Sequence, residues 1–475
     1  MLMEDIVKRL GESPNDSRSD APSRPTRIIQ FGEGNFLRAF VDWQVQQMNK
    51  AGVFDGGVAV VQPLATGRVA ELEQQDRLYT VLLEGLRDDA LVSTHEIITV
   101  INQTIDPYAN WPTFLALADN PDACVIISNT TEAGIAVDPA DTAETVPPKG
   151  FPAKLAHLLR RRFQAGLPGF LILPCELIDD NGPALRNAVL ECVARFGWGD
   201  DFAHWIDTEN RFRSTLVDRI VPGFPADRAE SLWADWGYED SLMVKAEPYG
   251  LWAIEATAGD LACFPAQKAG LEVVLTNDLR PYHDRKVYLL NGPHTTMAQL
   301  ARLAGLHTVG ETVSDPGFRP FIEAQISREI IPAIDLPRAE VESFARDVMQ
   351  RFENPSISHS LDVIALNSVA KFVARLLPTI KTNVADGRGL PPRTCLALAG
   401  LLAIYWRRQG DVTPTDLPSV TDAFAAADGD VPAVLADASL WGEDLTAIPG
   451  LAQLVSDDLA LIESEGVRSL VRGLS

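Results

Sequence analysis

A strand, a glycine turn and a helix follow one another near the start of this chain, and their order limits the fold more than any other feature. The apolar run at residues 27–31 leads into the segment Gly32-Glu33-Gly34 and then into a helical stretch that ends near residue 50. A second apolar run at 58–62 completes a β-α-β unit. A unit of this length is typical of dinucleotide-binding folds, so the sequence predicts a parallel sheet with helices on both faces.

The rest of the chain divides into a strand-rich part and a helical part. Strands are predicted at 78–84, 91–100, 123–128, 169–173 and 272–276. Beyond about residue 277 the apolar residues recur with helical spacing, and helices are predicted at 281–303, 316–331, 338–351, 360–377, 392–408, 417–426 and 449–464. We therefore predict an α/β protein with a polar tail at 1–25, an N-terminal Rossmann-type doubly wound sheet at 26–276 and a C-terminal all-α domain at 277–475.

Charge and composition restrict the partners of the chain. The net charge of −24 over 475 residues argues against a nucleic-acid or anionic-membrane partner, because either would need a basic surface. A small anionic substrate would then need a local basic pocket. Five scattered cysteines without a C-x-x-C pair, and an N-terminus without the apolar core of a signal peptide, predict a reduced protein of the cytoplasm.

The glycine turn predicts a phosphate-binding site. Glycines without a Cβ let the backbone approach a pyrophosphate, and the helix that follows offers free N–H groups. The third glycine of G-x-G-x-x-G is replaced by Leu37, so an ordinary strand-to-helix turn is the alternative. The polar run at 128–134 follows another strand and favours a ligand site. The candidate cofactor-binding residues are Phe31, Gly32, Gly34, Asn35, Phe36, Arg38, Gln62, Asn129, Thr130 and Glu132.

The choice of cofactor depends on the end of the second strand. An acidic residue that would bind the adenosine ribose hydroxyls is replaced there by Gln62. No arginine occupies that position either, although Arg68 is close in sequence. We favour NAD over NADP.

The segment from residue 282 to 294 carries the candidate catalytic residues Lys286, Asn291 and His294. On a helix, Asn291 and His294 lie roughly 140° and 80° around the axis from Lys286. A lysine could donate a proton to a substrate oxygen, an amide could bind the same oxygen, and an imidazole could orient substrate hydroxyls. The alternative is a surface lysine, a capping asparagine and a core histidine.

These elements together resemble the mannitol dehydrogenase family of polyol-specific long-chain dehydrogenases. The resemblance implies a Rossmann-type domain followed by a helical domain, catalysis without a metal, and Lys286 as the acid/base. His283 and His294 also lack a ligand-spaced third partner for a metal. The matching segments are 31–38, 217–222, 247–248 and the K-x4-N-x2-H pattern that begins at Lys286.

Within this family the chain is most similar to the branch that acts on hexuronates. This resemblance implies NADH-dependent, reversible reduction of D-tagaturonate to D-altronate in hexuronate catabolism. Leu177 stands where other branches carry an asparagine that helps to bind the reacting oxygen, so one oxygen-binding group is unaccounted for. The segments that carry the resemblance are 173–182, 214–223, 358–362 and 366–372.

A uronate also needs a site for its carboxylate. Lys371 and Arg375 are four residues apart on a predicted helix and could face one anion together, although each is more commonly a solvated charge. The candidate substrate-binding residues are Arg351, His359, Asn367, Lys371 and Arg375.

Two other functions remain open. One is a related oxidoreductase that acts on a neutral ketose or polyol, as mannitol dehydrogenases do, or on fructuronate. The other is a nucleotide-binding protein without catalysis. The family resemblance favours a monomer or a weak oligomer.

Overall fold

The computed structural model describes residues 24–87, 90–356, 359–408 and 412–475. Most of the predicted tail, residues 1–23, lies outside the described part. The chain divides into two compact units, with the main division after residue 279. We describe each unit by itself.

The first unit contains a six-stranded parallel sheet. Its strands are β1 (Thr26–Phe31), β2 (Gly57–Val61), β5 (Ile101–Ile105), β6 (Val125–Ser128), β7 (Leu171–Pro174) and β8 (Arg211–Phe212). Their order in the sheet is β5-β2-β1-β6-β7-β8, and every pair is parallel. This is the Rossmann order, and it reverses between β1 and β6, where ligands bind in sheets of this kind. The predicted fold class is confirmed.

Both faces of this sheet are buried because consecutive side chains of a strand point to opposite sides. In β1, Ile28 enters one apolar core, whereas Ile29 and Phe31 enter the other. Val58 and Ala59 of β2 divide in the same way. The helices of this unit are α1 (Asn35–Lys50, with a π-helical turn Arg38–Asp42), α2 (Val69–Gln74), α3 (Trp111–Ala116), α4 (Phe151–Gln164), α5 (Asn181–Arg195), α6 (Asp200–Glu209) and α7 (Ala229–Trp236).

Two smaller sheets complete the first unit. The first joins β3 (Tyr79–Arg87), β4 (Ala90–Ile98) and β10 (Val244–Ala246), and the second joins β9 (Thr215–Asp218), β11 (Leu251–Glu255) and β12 (Val273–Thr276). The predicted strands at 78–84, 91–100 and 272–276 are confirmed. The sequence did not predict β5 or β8 to β11, all of which are only two to five residues long.

The second unit is helical. One prediction needs correction, because the single helix expected at 360–377 is two helices. They are separated at Asn367, whose φ is +54° and whose N–H donates to the Thr415 carbonyl. The helices are α8 (Arg280–Leu303, with a π-helical turn Val287–Asn291), α9 (Val309–Ser314), α10 (Phe318–Gln325, continued by a π turn Ile326–Ile330), α11 (Arg338–Phe352), α12 (Leu361–Ile364), α13 (Ser368–Arg375), α14 (Leu377–Ala385), α15 (Pro392–Tyr405), α16 (Pro418–Ala427), α17 (Val431–Ala436), α18 (Ala438–Trp441), α19 (Leu451–Glu465) and α20 (Val467–Gly473).

In the part of the chain that the structure describes, no helix is both long enough and apolar enough to cross a membrane.

Asn181, at the start of α5, connects several segments of the first unit. It is fully buried, and its side-chain amide donates to the carbonyls of Pro174, Glu176 and Thr215 at 3.1, 3.0 and 2.9 Å. Its Oδ1 accepts the Thr215 N–H at 2.9 Å. One side chain therefore fixes the end of β7 against β9.

We predict that Asn181→Ala lowers the free energy of unfolding by about 3 kcal/mol, because several buried backbone groups lose their partners together. Urea unfolding followed by tryptophan fluorescence measures this change. Asn110→Ala is the control, since Asn110 caps α3 with one exposed bond from the Thr113 N–H and its loss costs about 1 kcal/mol. Equal losses in the two variants would contradict the role of Asn181.

Candidate functional site

The glycine turn after β1 lies at the point where the strand order reverses. Gly32 has φ +123°, and a Cβ there would lie 3.0 Å from the Asn129 carbonyl oxygen. Glycine is therefore required for the close approach of this turn to the end of β6. A Cβ on Gly34 would have no atom within 4 Å, so the turn leaves open space beside the start of α1. Room and helix N–H groups at this place suit a pyrophosphate.

Arg38 supports this turn from inside the protein. It is 1% exposed, its Nε donates to the Glu33 carbonyl at 3.1 Å, and its Nη2 donates to Asn35 Oδ1 at 2.7 Å. Its Nη1 donates to the Leu242 carbonyl. Burial lowers the pKa of its guanidinium. The prediction that Arg38 contacts a cofactor is therefore not supported, because its donors hold the turn in shape.

Three other predicted cofactor-binding side chains are also used within the fold. Phe31 is fully buried beside Phe114 and Phe151. Gln62 is buried, and its Nε2 donates to the Leu64 carbonyl at 2.9 Å. Phe36 stacks on Phe40, with ring centroids 5.0 Å apart. A sequence motif identifies the turn but not the direction of each side chain.

The polar run after β6 is fixed by Glu176, a residue that the sequence did not single out. Glu176 is 2% exposed and accepts the Ser128 hydroxyl at 3.0 Å and the Thr130 N–H and hydroxyl at 2.9 and 3.0 Å. Burial raises the pKa of this carboxyl, and the three hydrogen bonds oppose that shift. The Asn129 amide donates to the Cys175 carbonyl at 2.7 Å. A carboxylate directly after a strand was the signal that could have revealed this role.

Two further residues considered in the sequence analysis, Glu132 and Leu177, lie in the loops after β6 and β7. The side chain of Glu132 lies outside the described part of the chain, and its backbone belongs to a short 3-10 turn. Leu177 follows Glu176 and is 57% exposed. An exposed leucine at the carboxyl end of β7 offers no hydrogen bond to a ligand, which agrees with the departure noted in the sequence.

The segments 217–222 and 247–248 hold α1 in place. The guanidinium of Arg219 donates to the Ala39 carbonyl at 2.7 Å and to the Tyr249 carbonyl at 2.9 Å. Glu247 is buried and accepts the Ile220 N–H at 2.6 Å. These motif residues therefore support the glycine turn and its helix.

In the second unit, a π-helical turn changes the geometry predicted for α8. Lys286 ends the first α-helical part, the π turn Val287–Asn291 follows, and the Gly292 N–H donates to the Val287 carbonyl. Because a π turn closes with i→i+5 hydrogen bonds, Asn291 lies about one turn from Lys286. The separation of 140° assumed for a regular α-helix is therefore wrong, and the two residues share a face more closely than the sequence indicated. Both are half-buried.

His294 lies one turn further along α8 and is 4% exposed. Its ring packs 4.6 Å from the ring of Phe352 and 4.7 Å from that of His359. Within the described residues its Nε2 has no hydrogen-bond partner. Burial first, and then the charges of His359, Arg375 and Arg351, lower its pKa well below the usual value. His294 is therefore neutral at pH 7, with a buried ring nitrogen that a ligand hydroxyl could satisfy.

Basic residues gather beside the same helix. Arg375 donates from Nη1 to Thr295 Oγ1 at 3.3 Å, and this hydroxyl donates to the Asn291 carbonyl at 2.9 Å. The Arg375 carbonyl would lie 3.4 Å from a Cβ on Gly292, so the end of α13 packs closely on α8. The sequence analysis did not single out Thr295, which directly follows His294.

The two basic side chains of α13 donate to uncharged oxygens, although the charge of Asp416 raises the pKa of Lys371. Lys371 donates from Nζ to the Ile364 carbonyl at 2.8 Å. Burial lowers the pKa of Arg375 to about 10, and burial together with the charge of Arg375 lowers that of Lys371 to about 8. Among the residues described, neither Lys371 nor Arg375 forms an ion pair. Two half-buried cations that donate no hydrogen bond to a carboxylate are suited to an anion.

The predicted substrate-binding residues do not all join this cluster. Arg351 is buried at the end of α11, and its charge acts on both His294 and His359. Asn367 is instead exposed at the turn before α13, where its left-handed backbone starts the helix. Across the described ranges, no three His, Cys, Asp or Glu side chains are grouped as a metal ion would need.

The lowered pKa of His359 predicts that the free energy of unfolding depends on pH. Burial lowers the pKa of His359 to about 4, whereas an unfolded histidine has a pKa of about 6.5. Between these values only the unfolded chain binds the proton, so stability falls as the pH falls. We predict that wild type loses roughly 2 kcal/mol from this residue between pH 7 and pH 5, and that His359→Gln does not.

Chemical unfolding at the two pH values measures this difference. His307→Gln is the control, because His307 is an exposed histidine in the same unit. The assignment to His359 is wrong if His359→Gln and His307→Gln reduce the pH dependence of the free energy of unfolding equally.

Comparisons with known proteins cover both units. Residues 26–262 match the model described as the mannitol dehydrogenase Rossmann domain, and residues 278–463 match the mannitol dehydrogenase C-terminal domain. An altronate oxidoreductase from Yersinia pestis bv. Antiqua (strain Nepal516) is 41% identical over 479 residues, which cover 97% of this chain and 99% of the relative. An altronate oxidoreductase from Cronobacter sakazakii (strain ATCC BAA-894) is 43% identical over 489 residues, which cover 96% and 99%.

Two solved structures share the fold. A ternary complex of Pseudomonas fluorescens mannitol 2-dehydrogenase with NAD and D-mannitol has a TM-score of 0.75 and 23% identity, and the match covers 95% of this chain and 94% of that one. A substrate-free D-sorbitol dehydrogenase has a TM-score of 0.80 and 22% identity, with 94% and 95% covered. The matched models span both units and the two relatives match along nearly their whole length, so this chain belongs to the mannitol dehydrogenase family.

Proposed function

We propose that this protein catalyses the NADH-dependent, reversible reduction of D-tagaturonate to D-altronate. The observation that carries the proposal is the half-buried pair of cations, Lys371 and Arg375, beside the helix of Lys286, Asn291 and His294, in a chain of net charge −24. A uronate carries the carboxylate that such a cluster would bind. The relatives at 41–43% identity that are named altronate oxidoreductase support the same substrate class.

The first unit supplies a site that fits NADH. The open space at Gly34 and the close approach at Gly32 suit a pyrophosphate at the start of α1. Bound NADH supplies the hydride for the carbonyl carbon. The buried Arg38 and Glu176 keep the two loops around this site in shape and need no contact with the nucleotide.

Ketone reduction also needs a proton at the oxygen, and we assign this step to Lys286. The π turn sets Asn291 about one turn from the lysine, so its amide can donate to the same oxygen as negative charge develops there. The unpaired Nε2 of His294 can bind a neighbouring substrate hydroxyl. The alternative of a purely structural histidine leaves that buried nitrogen unexplained.

The carboxylate end of the substrate is assigned to Arg375 and Lys371, with Arg351 adding positive charge. A neutral ketose or polyol has no charge to bind Lys371 and Arg375, which makes it the weaker candidate. Fructuronate carries the same carboxylate and remains the nearest alternative. A non-catalytic nucleotide-binding role would give no function to the cationic cluster.

We also propose that the protein is cytoplasmic and monomeric or weakly oligomeric. The five cysteines are free thiols, which suits a reducing compartment.

The central test measures NADH oxidation with tagaturonate, fructuronate and fructose offered in parallel. We predict a preference for tagaturonate of roughly a hundredfold in kcat/KM, equivalent to about 2.7 kcal/mol in transition-state binding. Lys286→Ala should lower kcat by at least about a hundredfold, because the positioned acid is lost. Lys381→Ala is the control, since Lys381 is an exposed lysine paired with Glu443. A preference for fructose, or an active Lys286→Ala enzyme, would refute the proposal.

A second test separates the carboxylate site from the catalytic residues. Arg375→Gln should lower kcat/KM for tagaturonate by about 10- to 100-fold, because a charge-assisted contact is lost, and leave any activity on fructose unchanged. The matched control is Arg388→Gln, which removes an exposed arginine paired with Asp386. Equal losses on charged and neutral substrates would show that Arg375 acts only through the fold.

A further inference from the structure

The side chain of Glu33 connects the glycine turn to the loop after β2. It is 8% exposed, and its Oε1 accepts the Arg68 N–H at 3.1 Å. A Cβ on Gly67 would overlap the same oxygen, so the loop passes close to the carboxylate. The turn after β1 therefore places the Glu33 carboxylate beside the loop after β2.

The position of this carboxylate in the sheet is informative. β1 and β2 are parallel neighbours with Phe31 opposite Val61, and the Gly32 N–H donates to the Val61 carbonyl at 3.0 Å. Both strands therefore end at the same edge. In dinucleotide-binding sheets the adenosine ribose lies at the end of the second strand, where an acidic residue binds its hydroxyls.

That acidic residue is missing from β2 itself. Gln62 stands in its place, and its amide is bound within the loop by the Leu64 carbonyl at 2.9 Å and the Val69 N–H at 3.4 Å. Glu33 is the carboxylate that reaches this region from the turn of the neighbouring strand.

We propose that Glu33 selects NAD(H) over NADP(H), because its carboxylate binds the hydroxyls of the adenosine ribose and repels a 2′-phosphate. This inference rests on the nucleotide-binding part of the proposed function and not on the identity of the sugar acid.

The charges nearby agree with this role. Arg68 is the nearest candidate for a 2′-phosphate, but its Nε and Nη2 both donate to Glu71 Oε2 at 2.9 Å. Arg38 is buried, with its donors on two carbonyls and on Asn35. Both guanidinium groups therefore already donate within the fold, although their charges act on Glu33. A 2′-phosphate brought to Glu33 would meet a like charge.

The test uses ADP-ribose and 2′-phospho-ADP-ribose, which contain the adenosine ribose but no nicotinamide. Isothermal titration calorimetry gives the ratio of their dissociation constants for wild type and for Glu33→Gln. Glutamine keeps the size of the side chain and an acceptor for the Arg68 N–H. In Glu33→Gln, the ratio of the dissociation constant of 2′-phospho-ADP-ribose to that of ADP-ribose should fall by at least about tenfold.

Two further variants isolate the charge. Glu73→Gln makes the same change of charge on α2, where Glu73 pairs with Arg77, and should leave the ratio unchanged. Glu33→Asp keeps the charge on a shorter side chain. This variant should still prefer ADP-ribose over 2′-phospho-ADP-ribose, even if its bond from the Arg68 N–H is weaker.

The inference is overturned if Glu33→Gln weakens both probes equally, because Glu33 would then only hold the loop. An unchanged ratio overturns it as well. If wild type binds neither probe, the proposed nucleotide site fails too, whereas loss of tagaturonate reduction alone leaves this inference intact.

Discussion

The close approach of Gly32 to the Asn129 carbonyl is the contact on which the first unit depends. It brings together the ends of β1 and β6, where the strand order reverses. No side chain fits between them, so the turn must be held by groups around it. Arg38 donates to the Glu33 carbonyl within this turn, and Glu176 accepts the Thr130 N–H of the loop after β6. These buried charged side chains therefore fix the two loops at the carboxyl ends of β1 and β6, where ligands bind in sheets of this kind.

A second constraint comes from the π turn Val287–Asn291 in the helical unit. An α-helix would separate Lys286 from Asn291, whereas a turn closed by i→i+5 bonds brings them onto one face. π turns are frequent at functional sites because the extra residue changes the direction of side chains without ending the helix. The local backbone thus places Lys286 and Asn291 about one turn apart, whereas regular helical spacing had separated them.

The sequence predicted what depends on periodicity and spacing. The β-α-β unit and the change to helices near residue 277 follow from repeated local patterns. The roles of Arg38 and Gln62 did not follow, because a motif does not reveal which backbone groups a side chain will meet after folding. The break at Asn367 in the helix predicted at 360–377 was missed for a similar reason, since the Asn367 N–H donates to the Thr415 carbonyl, 48 residues away in sequence.

The basic cluster of the second unit is unfavourable for folding by itself. Arg375 and Lys371 are held at lowered pKa beside a neutral His294, and neither has a carboxylate partner in the described part of the chain. Among the described residues, the charge of Asp416 raises the pKa of Lys371, but neither cation donates a hydrogen bond to a carboxylate. Buried groups that weaken the folded state are common at ligand sites, because binding relieves the same cost. An anionic substrate would complete this cluster, and a neutral sugar would not.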